Sequence, residues 1–305
     1  MTTDPSNDNP EALLGVNQRL VALGLDPVEV CVTIEAALDE DLSEDRVDRT
    51  ADAIFDPNHV STAQLVTRQA GVVAGLPVAH AVFDSMPSDI HFTYLVDEGQ
   101  RVTPGQALAE VSGRTRDLLS AERTALNFLC RLTGIATHTR AWVDALKGTK
   151  AQVLDTRKTT PGLRSLEKYA VRAAGGGNKR MGLYDAAMIK DNHKQAAGSI
   201  AAAFRAIEDE DPTVSIQVEV DTLAEALEAV EAGAEFLLLD NMTPDQLREI
   251  VAALDDEVEL EATGGLTLDT AAEYAATGVD FLSVGALTHS SPIVDIGLDW
   301  PEGDE

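Results

Sequence analysis

The sequence is poor in cysteine and contains no long hydrophobic run. Its 305 residues include only two cysteines, Cys31 and Cys130, too few for the disulfide framework of a small secreted domain. No apolar run approaches the roughly 20 residues that a membrane-spanning helix requires. The first residues, MTTDPSNDNPEALLG, are acidic and polar, whereas a secretory signal peptide has a basic start and an apolar centre. We therefore expect a cytoplasmic protein.

Lysine and aromatic residues are scarce as well. The chain has 7 lysines against 16 arginines, aromatic residues make up 4%, and 52 Asp and Glu residues give a formal net charge of -29. An acidic surface depleted in lysine is typical of adaptation to high salt, and an ordinary acidic enzyme is the alternative. Because such a surface repels nucleic acids and anionic membranes, we expect neither as a partner.

Salt is therefore expected to affect stability. At about 1 M salt the screening length falls to about 3 Å, which relieves the repulsion among carboxylates. We expect folding and activity to require salt approaching molar concentration, measured as a thermal midpoint that rises between about 0.1 and about 3 M KCl. A midpoint that stays flat over that range would show that the acidic surface is not an adaptation to salt.

Short β-rich segments alternate with amphipathic helical segments from residue 151 onward. The helical windows include TLAEALEAVEAG and TPDQLREIVAAL. Strands that alternate with helices form parallel sheets, and this many in succession favour a barrel over a short open sheet. Because only six strands are clear, the barrel is predicted to be incomplete. The predicted strands cover residues 151–156, 186–192, 215–221, 234–241, 258–265 and 280–288.

The first half of the chain mixes helical and strand-like patterns. Residues 1–10 are predicted to be a disordered tail, and residues 116–147 two helices that break near Gly134. The other predicted helices cover residues 13–23, 27–38 and 76–86, and the predicted strands cover 63–75, 90–96 and 106–113.

A basic segment interrupts this acidic chain. Residues 154–194, which begin LDTRKTTPGLR, hold 9 Lys or Arg and 4 Asp or Glu, a local charge of +5. Arginine and lysine are the side chains that bind carboxylates and phosphates. The segment therefore predicts a pocket for a multiply anionic substrate.

Almost every predicted barrel strand ends in polar or charged residues. In a parallel α/β barrel the active site lies at the carboxyl ends of the strands, so these residues are expected to lie together. In chain order they are Asp155, Arg157 and Lys158, then Lys190, Asp191 and Asn192, then Glu219 and Asp221, then Asp240 and Asn241, then Thr263, Gly264 and Gly265, then Gly285 and His289.

The chemistry of these residues indicates a substrate class. Glu219 and Asp240 are carboxylates among cations, and hard oxygen ligands beside a phosphate site predict bound Mg²⁺. The turns TGG and VGALTHS offer backbone N–H groups that could hold a phosphomonoester. Together these groups fit a phosphoribosyl pyrophosphate donor and an aromatic acid. Four cations are expected to form the anion-binding part of the pocket, the cationic cup: Arg157, Lys158, Arg180 and Lys190.

The chain also contains five longer motifs, LDTRKTTPGLRSLEKYAVRAAGGGNKRMGLYDAAMIKDNH, SAERTALNFLCRLTGIAT, VEVD, LLLDN and VGALTHS. Together they closely resemble the quinolinate phosphoribosyltransferases, also called nicotinate-nucleotide pyrophosphorylases (carboxylating), over residues 27–300. The resemblance implies a homodimer that converts quinolinate and phosphoribosyl pyrophosphate into nicotinate mononucleotide, CO₂ and pyrophosphate, with Mg²⁺ as cofactor.

The resemblance also implies a domain organisation. The fold class is α/β, with an N-terminal α/β sandwich domain and a C-terminal incomplete (open) α/β barrel. The implied segments are an acidic tail and first helix at 1–26, the sandwich at 27–130, the barrel at 131–290, and a C-terminal tail at 291–305 that returns toward the N-terminal domain.

Residue roles follow from the motifs in the same way. The resemblance implies that Glu219 and Asp240 hold the ribose hydroxyls and the metal, and that Lys158 meets the pyrophosphate. The family usually has His where this chain has Lys179, which keeps a cation there, and Ser where it has Thr263. The groups implied to bind quinolinate are Arg157, Arg180 and Lys190, with Arg123 from the partner subunit, and Lys179 is implied to bind substrate without assignment to either one. Those on the 5′-phosphate side are Thr263, Gly264, Gly285 and His289, and the catalytic set is Lys158, Lys190, Glu219 and Asp240.

Two alternative kinds of enzyme remain open on sequence grounds, a related phosphoribosyltransferase and an aldolase. A nicotinate phosphoribosyltransferase or a molybdenum-linked paralogue could share the motifs, but an acceptor with one carboxylate needs fewer cations than this cup offers. A barrel aldolase could form a Schiff base on Lys190. A hammerhead binding module around VDEGQRVTPGQALAEVSG is disfavoured because that segment has no lysine to carry a cofactor.

Overall fold

A computed structural model of the chain describes residues 15–254 and 258–300, so the predicted tail at residues 1–10 lies outside the described residues. The chain divides into two compact units. The first contains the residues up to Thr137, Pro161–Ala174 and the residues from Ser291 onward, and the second contains His138–Thr160 and Gly175–Ser290. The predicted barrel boundary at residue 131 and the division after Thr137 both fall inside one helix.

The first unit combines short helices with an antiparallel sheet. Its helices are α1 (Val16–Ala22), α2 (Pro27–Leu42), α3 (Arg49–Ile54), α4 (Leu76–Asp84), most of α5 (Thr115–Ala145) and α6 (Arg164–Ala173). Its strands are β1 (Val60–Thr67), β2 (Gly71–Val72), β3 (His91–Tyr94), β4 (Arg101–Val102), β5 (Ala107–Arg114) and β12 (Ile296–Asp299).

Four of these strands form one sheet in the order β12-β1-β5-β3, with β1 antiparallel to both of its neighbours. Strand β12 adds the C-terminal segment to the edge of this sheet, where Gln64 pairs with Asp299. Helix α2 begins at Pro27 behind Asp26, whose carboxylate accepts a hydrogen bond from the backbone N–H of Val28 at 2.9 Å. Proline at the first helical position and an aspartate cap both favour a helix start there.

Helix α5 is one continuous helix of 31 residues, so the prediction of a break near Gly134 is wrong. A Cβ atom at this position would collide with the carbonyl oxygen of Pro292 and lie 2.9 Å from Ile293 Cα. Glycine here allows close packing against a distant segment, and it does not end the helix.

A half-buried histidine packs against the sheet of the first unit. The ring of His80, on α4, stacks on Phe92 with ring centroids 4.5 Å apart, and its Nδ1 lies 2.8 Å from the hydroxyl oxygen of Tyr94. Burial lowers the pKa of His80 from 6.5 to about 4, although nearby Asp84 opposes the shift.

Acid is therefore expected to destabilise the chain through His80. Below pH 6.5 the unfolded chain binds a proton at this ring, whereas the folded chain does not until about pH 4, so the free energy of unfolding falls as pH drops through that window. Because His80 is partly exposed to solvent, which weakens the effect, the free energy of unfolding is expected to fall by about 2 kcal/mol.

Denaturant unfolding of the wild type and His80→Gln, at about pH 7 and about pH 4.5, checks this expectation. The stability advantage of the wild type should shrink at the lower pH. Glu98, whose pKa burial raises to about 7, titrates in both chains and cancels in the comparison. An advantage of equal size at both pH values would contradict the expectation.

The second unit alternates strands and helices. Its strands are β6 (Gln152–Leu154), β7 (Ala187–Ile189), β8 (Ile216–Val220), β9 (Phe236–Asp240), β10 (Glu259–Thr263) and β11 (Phe281–Ser283). Its helices are α7 (Asp191–Ala197), α8 (Ile200–Glu210), α9 (Leu223–Glu231), α10 (Pro244–Leu254), α11 (Ala271–Ala275) and α12 (Ala286–His289).

The six strands form one parallel sheet in the order β6-β11-β10-β9-β8-β7. Strand β6, the first of the six in the chain, therefore pairs with β11, the last, as the first and last strands of a closed barrel do. Among the described residues β6 and β7 form no ladder with each other, and Leu154 instead forms an isolated parallel bridge with Gly177, in the segment that precedes β7. All six predicted strands are present, and the prediction of an α/β fold with an incomplete barrel is confirmed. Among the described helices, none combines the length and the apolar character needed to cross a membrane.

Candidate functional site

The second unit contains a cavity of about 660 Å³ at the carboxyl ends of its parallel strands. Nine of the residues to which the sequence motifs assign a role line it: Arg157, Lys158, Lys179, Arg180, Lys190, Glu219, Asp240, Thr263 and Gly264. The other lining residues are Thr156, Met188, Leu238, Asn241, Gly265 and Ser283.

The topology explains why these residues meet. Arg157 and Lys158 follow β6, and Lys190 follows β7 directly. Glu219 is in β8, whereas Asp240 and Thr263 are the last residues of β9 and β10 and lie opposite each other in the register. Because all six strands are parallel, these ends share one edge of the sheet.

The cations of the cavity lie close enough to influence one another. Burial lowers the pKa of Arg180, and the neighbouring Arg157 guanidinium lowers it further. Arg180 also donates a hydrogen bond of 2.6 Å to the carbonyl oxygen of Ala186. Lys190 Nζ lies 3.0 Å from Glu219 Oε2, with half of the lysine side chain exposed. Such a group of cations strongly favours a bound anion.

The two predicted metal ligands, Glu219 and Asp240, line the same cavity. Burial raises the pKa of Asp240, and the nearby carboxylates of Glu219 and Asp221 raise it further. Asn241, at φ +52°, donates a hydrogen bond of 2.7 Å from Nδ2 to Asp240 Oδ2. No cluster of three or more His, Cys, Asp or Glu able to hold a metal occurs in the described part of the chain. Any metal here would therefore depend on substrate oxygens as well.

The residues assigned to the 5′-phosphate side lie partly outside this lining. Gly285 directly precedes α12, and a Cβ atom there would lie 3.1 Å from both Lys158 Cδ and His289 Nε2. The hydroxyl of Thr288 donates a hydrogen bond of 2.8 Å to the carbonyl oxygen of Lys158. Gly285 and His289 thus adjoin Lys158 without lining the cavity itself.

Arg123 is the one predicted site residue in the first unit. It lies on α5, its side chain is exposed, and it does not line the cavity. Its role depends on a second subunit and stays a prediction.

Glu261 was not singled out from the sequence. It is fully buried on β10 and pairs with Lys179 at 2.7 Å. Strands of parallel sheets are buried on both faces and are usually apolar, so the acid in the middle of VELEATGG was the signal that could have revealed it.

Two models of known protein families match this chain. The model of the quinolinate phosphoribosyl transferase N-terminal domain matches residues 48–133, and that of the C-terminal domain matches residues 135–299. The chain belongs to the quinolinate phosphoribosyltransferase family. The resemblance carried by the sequence motifs is thereby confirmed, together with the assignment as a decarboxylating phosphoribosyltransferase.

Relatives across this family cover nearly the whole chain. Nicotinate-nucleotide pyrophosphorylase [carboxylating] of Mycobacterium leprae is 48% identical over 272 residues, which are 88% of this chain and 95% of the relative. The Homo sapiens protein of the same name is 37% identical, covering 88% and 91%. The crystal structure of NadC from Streptococcus pyogenes is 39% identical with a TM-score of 0.87, covering 90% and 97%.

The surroundings of Lys190 do not support the alternative of an aldolase that forms a Schiff base on this residue. A lysine that forms a Schiff base is activated by an apolar pocket or by a neighbouring cation that lowers its pKa. Lys190 instead has half of its side chain exposed and pairs with the Glu219 carboxylate. Lys190 therefore lacks the apolar pocket that a Schiff-base lysine requires.

Gly264 is expected to be irreplaceable in this family member. Its φ is +88°, and a Cβ atom would collide with Asn241 Oδ1 and lie 3.0 Å from the Asn241 backbone nitrogen. Gly264→Ala should displace Asn241 and with it Asp240, and lower kcat/KM by about 100-fold.

Gly148→Ala is the matched control for this variant. Gly148 has the same φ of +88°, lies outside the cavity lining and has open space around its Cβ position, so the substitution adds backbone strain of about 1–2 kcal/mol without a collision. Its kcat/KM should stay within about threefold of the wild type. Equal losses in the two variants would show that strain, and not contact with Asn241, limits position 264.

Proposed function

We propose that this protein transfers the phosphoribosyl group of phosphoribosyl pyrophosphate to quinolinate, with loss of CO₂, to give nicotinate mononucleotide and pyrophosphate in NAD biosynthesis. The observation that carries this proposal is a single cavity lined by two arginines, three lysines and two carboxylates. Such a cavity suits two anionic substrates and a reaction centre that becomes positive.

The acceptor side of the site consists of cations. Quinolinate carries two adjacent carboxylates, and Arg157 and Arg180 can each bind a carboxylate through two parallel N–H groups. Lys190, half exposed and paired with Glu219, adds a further cation to the cavity lining. An acceptor with one carboxylate would leave part of this charge unpaired.

A second group of residues is assigned to the phosphoribosyl donor. Lys158 meets the pyrophosphate, and Thr263 and Gly264 offer a hydroxyl and backbone N–H groups to the 5′-phosphate. Gly285 and His289 adjoin Lys158 and complete this side.

Magnesium fits the carboxylate pair. Mg²⁺ in phosphate-binding sites is typically held by one or two carboxylates together with substrate oxygens and water. Glu219 and Asp240 are such a pair, and their mutual repulsion contributes to the raised pKa of Asp240, which a cation would relieve. When bound, Mg²⁺ would neutralise charge on the pyrophosphate.

The chain itself mainly positions the reactants. As pyrophosphate leaves, the donor's C1 becomes positive, and the carboxylates of Glu219 and Asp240 stabilise that charge. The pyridine nitrogen of quinolinate then forms the bond to C1. The resulting pyridinium ring stabilises the electron pair left on its carbon when the adjacent carboxylate departs as CO₂, and that carbon then takes up a proton from water to give nicotinate mononucleotide. Because orientation supplies the rate enhancement, no nucleophilic side chain is needed.

A partner subunit is part of this proposal. The sequence motifs imply a homodimer in which Arg123 of one subunit binds the quinolinate held by the other. Its exposed position on α5 is compatible with contact across a two-fold axis, which exchanges such residues reciprocally.

A comparison of acceptors tests the proposed function. With phosphoribosyl pyrophosphate and Mg²⁺ present, quinolinate should be turned over and nicotinate should be a poor acceptor, because the cup holds cations for two carboxylates. Equal or faster turnover of nicotinate would contradict the proposed acceptor specificity while leaving the family assignment intact.

A further inference from the structure

A buried ion pair lies at the cavity wall. Lys179 Nζ is 2.7 Å from Glu261 Oε1, and the two side chains are 8% and 0% exposed. Lys179 lines the cavity, whereas Glu261 does not. Glu261 therefore contacts the site through Lys179.

Lys179 is held from a second direction by Asp155, the residue that follows β6. Its backbone N–H donates a hydrogen bond of 2.9 Å to Asp155 Oδ1, and Asp155 is itself fully buried. The segment before it is fixed as well, since Gly177 donates to the carbonyl oxygen of Val153 at 2.8 Å. The backbone of Lys179 is thus anchored beside the end of β6, and its ammonium group is paired with β10.

Removing Glu261 would leave a buried ammonium without its counter-charge. Burial lowers the pKa of Lys179, and the Glu261 carboxylate opposes that shift. Burial also raises the pKa of Glu261, which Lys179 opposes in turn. A buried charge whose partner is removed is strongly disfavoured, so the amine would change orientation or lose its proton.

We propose that Glu261 is a positioning residue, which fixes the Lys179 ammonium at the cavity wall so that it binds one carboxylate of the pyridine dicarboxylate acceptor. An ammonium group has three N–H donors, so a single bond to Glu261 leaves donors for a substrate. This inference rests on the proposed function, because it assigns Lys179 to the acceptor and not to the phosphoribosyl donor.

Steady-state kinetics of Glu261→Gln, Lys179→Met and the double variant test the inference. Glu261→Gln keeps the shape of the side chain and removes its charge. It should raise the KM for quinolinate by about 10- to 100-fold and leave the KM for phosphoribosyl pyrophosphate within about twofold. The double variant should be no worse than Lys179→Met alone, because Glu261 acts only through Lys179.

Glu167→Gln is the matched control. Glu167 is another fully buried carboxylate, paired with Arg131 at 2.8 Å in the first unit. Its replacement should lower the thermal midpoint and leave the KM for quinolinate unchanged. Should Glu261→Gln fail to fold, Glu261→Asp, which withdraws the carboxylate from the ammonium, should raise the KM for quinolinate selectively.

The outcomes separate this inference from the proposed function. If the wild type does not turn quinolinate over, both fail. If it does, the inference alone is overturned by an unchanged KM for quinolinate, by equal rises in both KM values, or by losses that multiply in the double variant.

Discussion

Chains carrying Arg123→Ala and chains carrying Arg157→Ala are each expected to be nearly inactive, whereas a co-refolded mixture should regain roughly a quarter of the wild-type activity. Arg157 lines the cavity of its own subunit, and Arg123 is proposed to reach the cavity of the partner. The loss of a cation paired with a buried carboxylate typically costs about 2–5 kcal/mol of binding.

The recovery follows from two-fold symmetry. In random refolding about half of the dimers are mixed, and each mixed dimer has one site with both arginines intact and one site with neither. Activity is measured as kcat/KM for quinolinate before and after refolding of an equimolar mixture. A mixture as inactive as its parents would show that Arg123 acts within its own subunit or has no role in the site.

Glu219→Gln is expected to lower kcat by about 10²- to 10³-fold. The amide keeps the size of the side chain and can still accept a hydrogen bond from Lys190, so the main loss is negative charge near the donor's C1. Asp240→Asn should behave similarly, and both variants should lose sensitivity to Mg²⁺ concentration.

Asp221→Asn is the control for this pair. Asp221 follows β8 beside Glu219 and lies 3.7 Å from Lys194, but it does not line the cavity. Its kcat should remain within about threefold of the wild type, as for a charged surface residue. If Asp221→Asn were as slow as Glu219→Gln, a general loss of negative charge would explain both effects.

Much of the second unit could be predicted from the sequence because its signals are local. Each strand is a short apolar run, and the residue that follows it marks the end where ligands bind in parallel sheets. This rule predicts that Arg157, Lys190 and Asp240 lie close together, and all three line one cavity.

The features that could not be predicted depend on contacts between distant segments. Taken alone, Gly134 predicts a helix break. Its close approach to Pro292 explains why glycine occupies this position within a continuous α5. The Lys179–Glu261 pair joins residues 82 positions apart. Neither residue indicates its partner, since the register of β10 against the rest of the sheet decides which side chain meets Lys179.

The most direct measurement follows the carboxyl group that leaves. Quinolinate labelled in the carboxylate adjacent to the ring nitrogen is incubated with the wild-type protein, phosphoribosyl pyrophosphate and Mg²⁺, and labelled CO₂ and nicotinate mononucleotide are quantified. We expect equal amounts of the two products, and none when phosphoribosyl pyrophosphate is omitted. Absence of labelled CO₂, or its release without phosphoribosyl pyrophosphate, would contradict the assignment of this cavity to decarboxylating phosphoribosyl transfer.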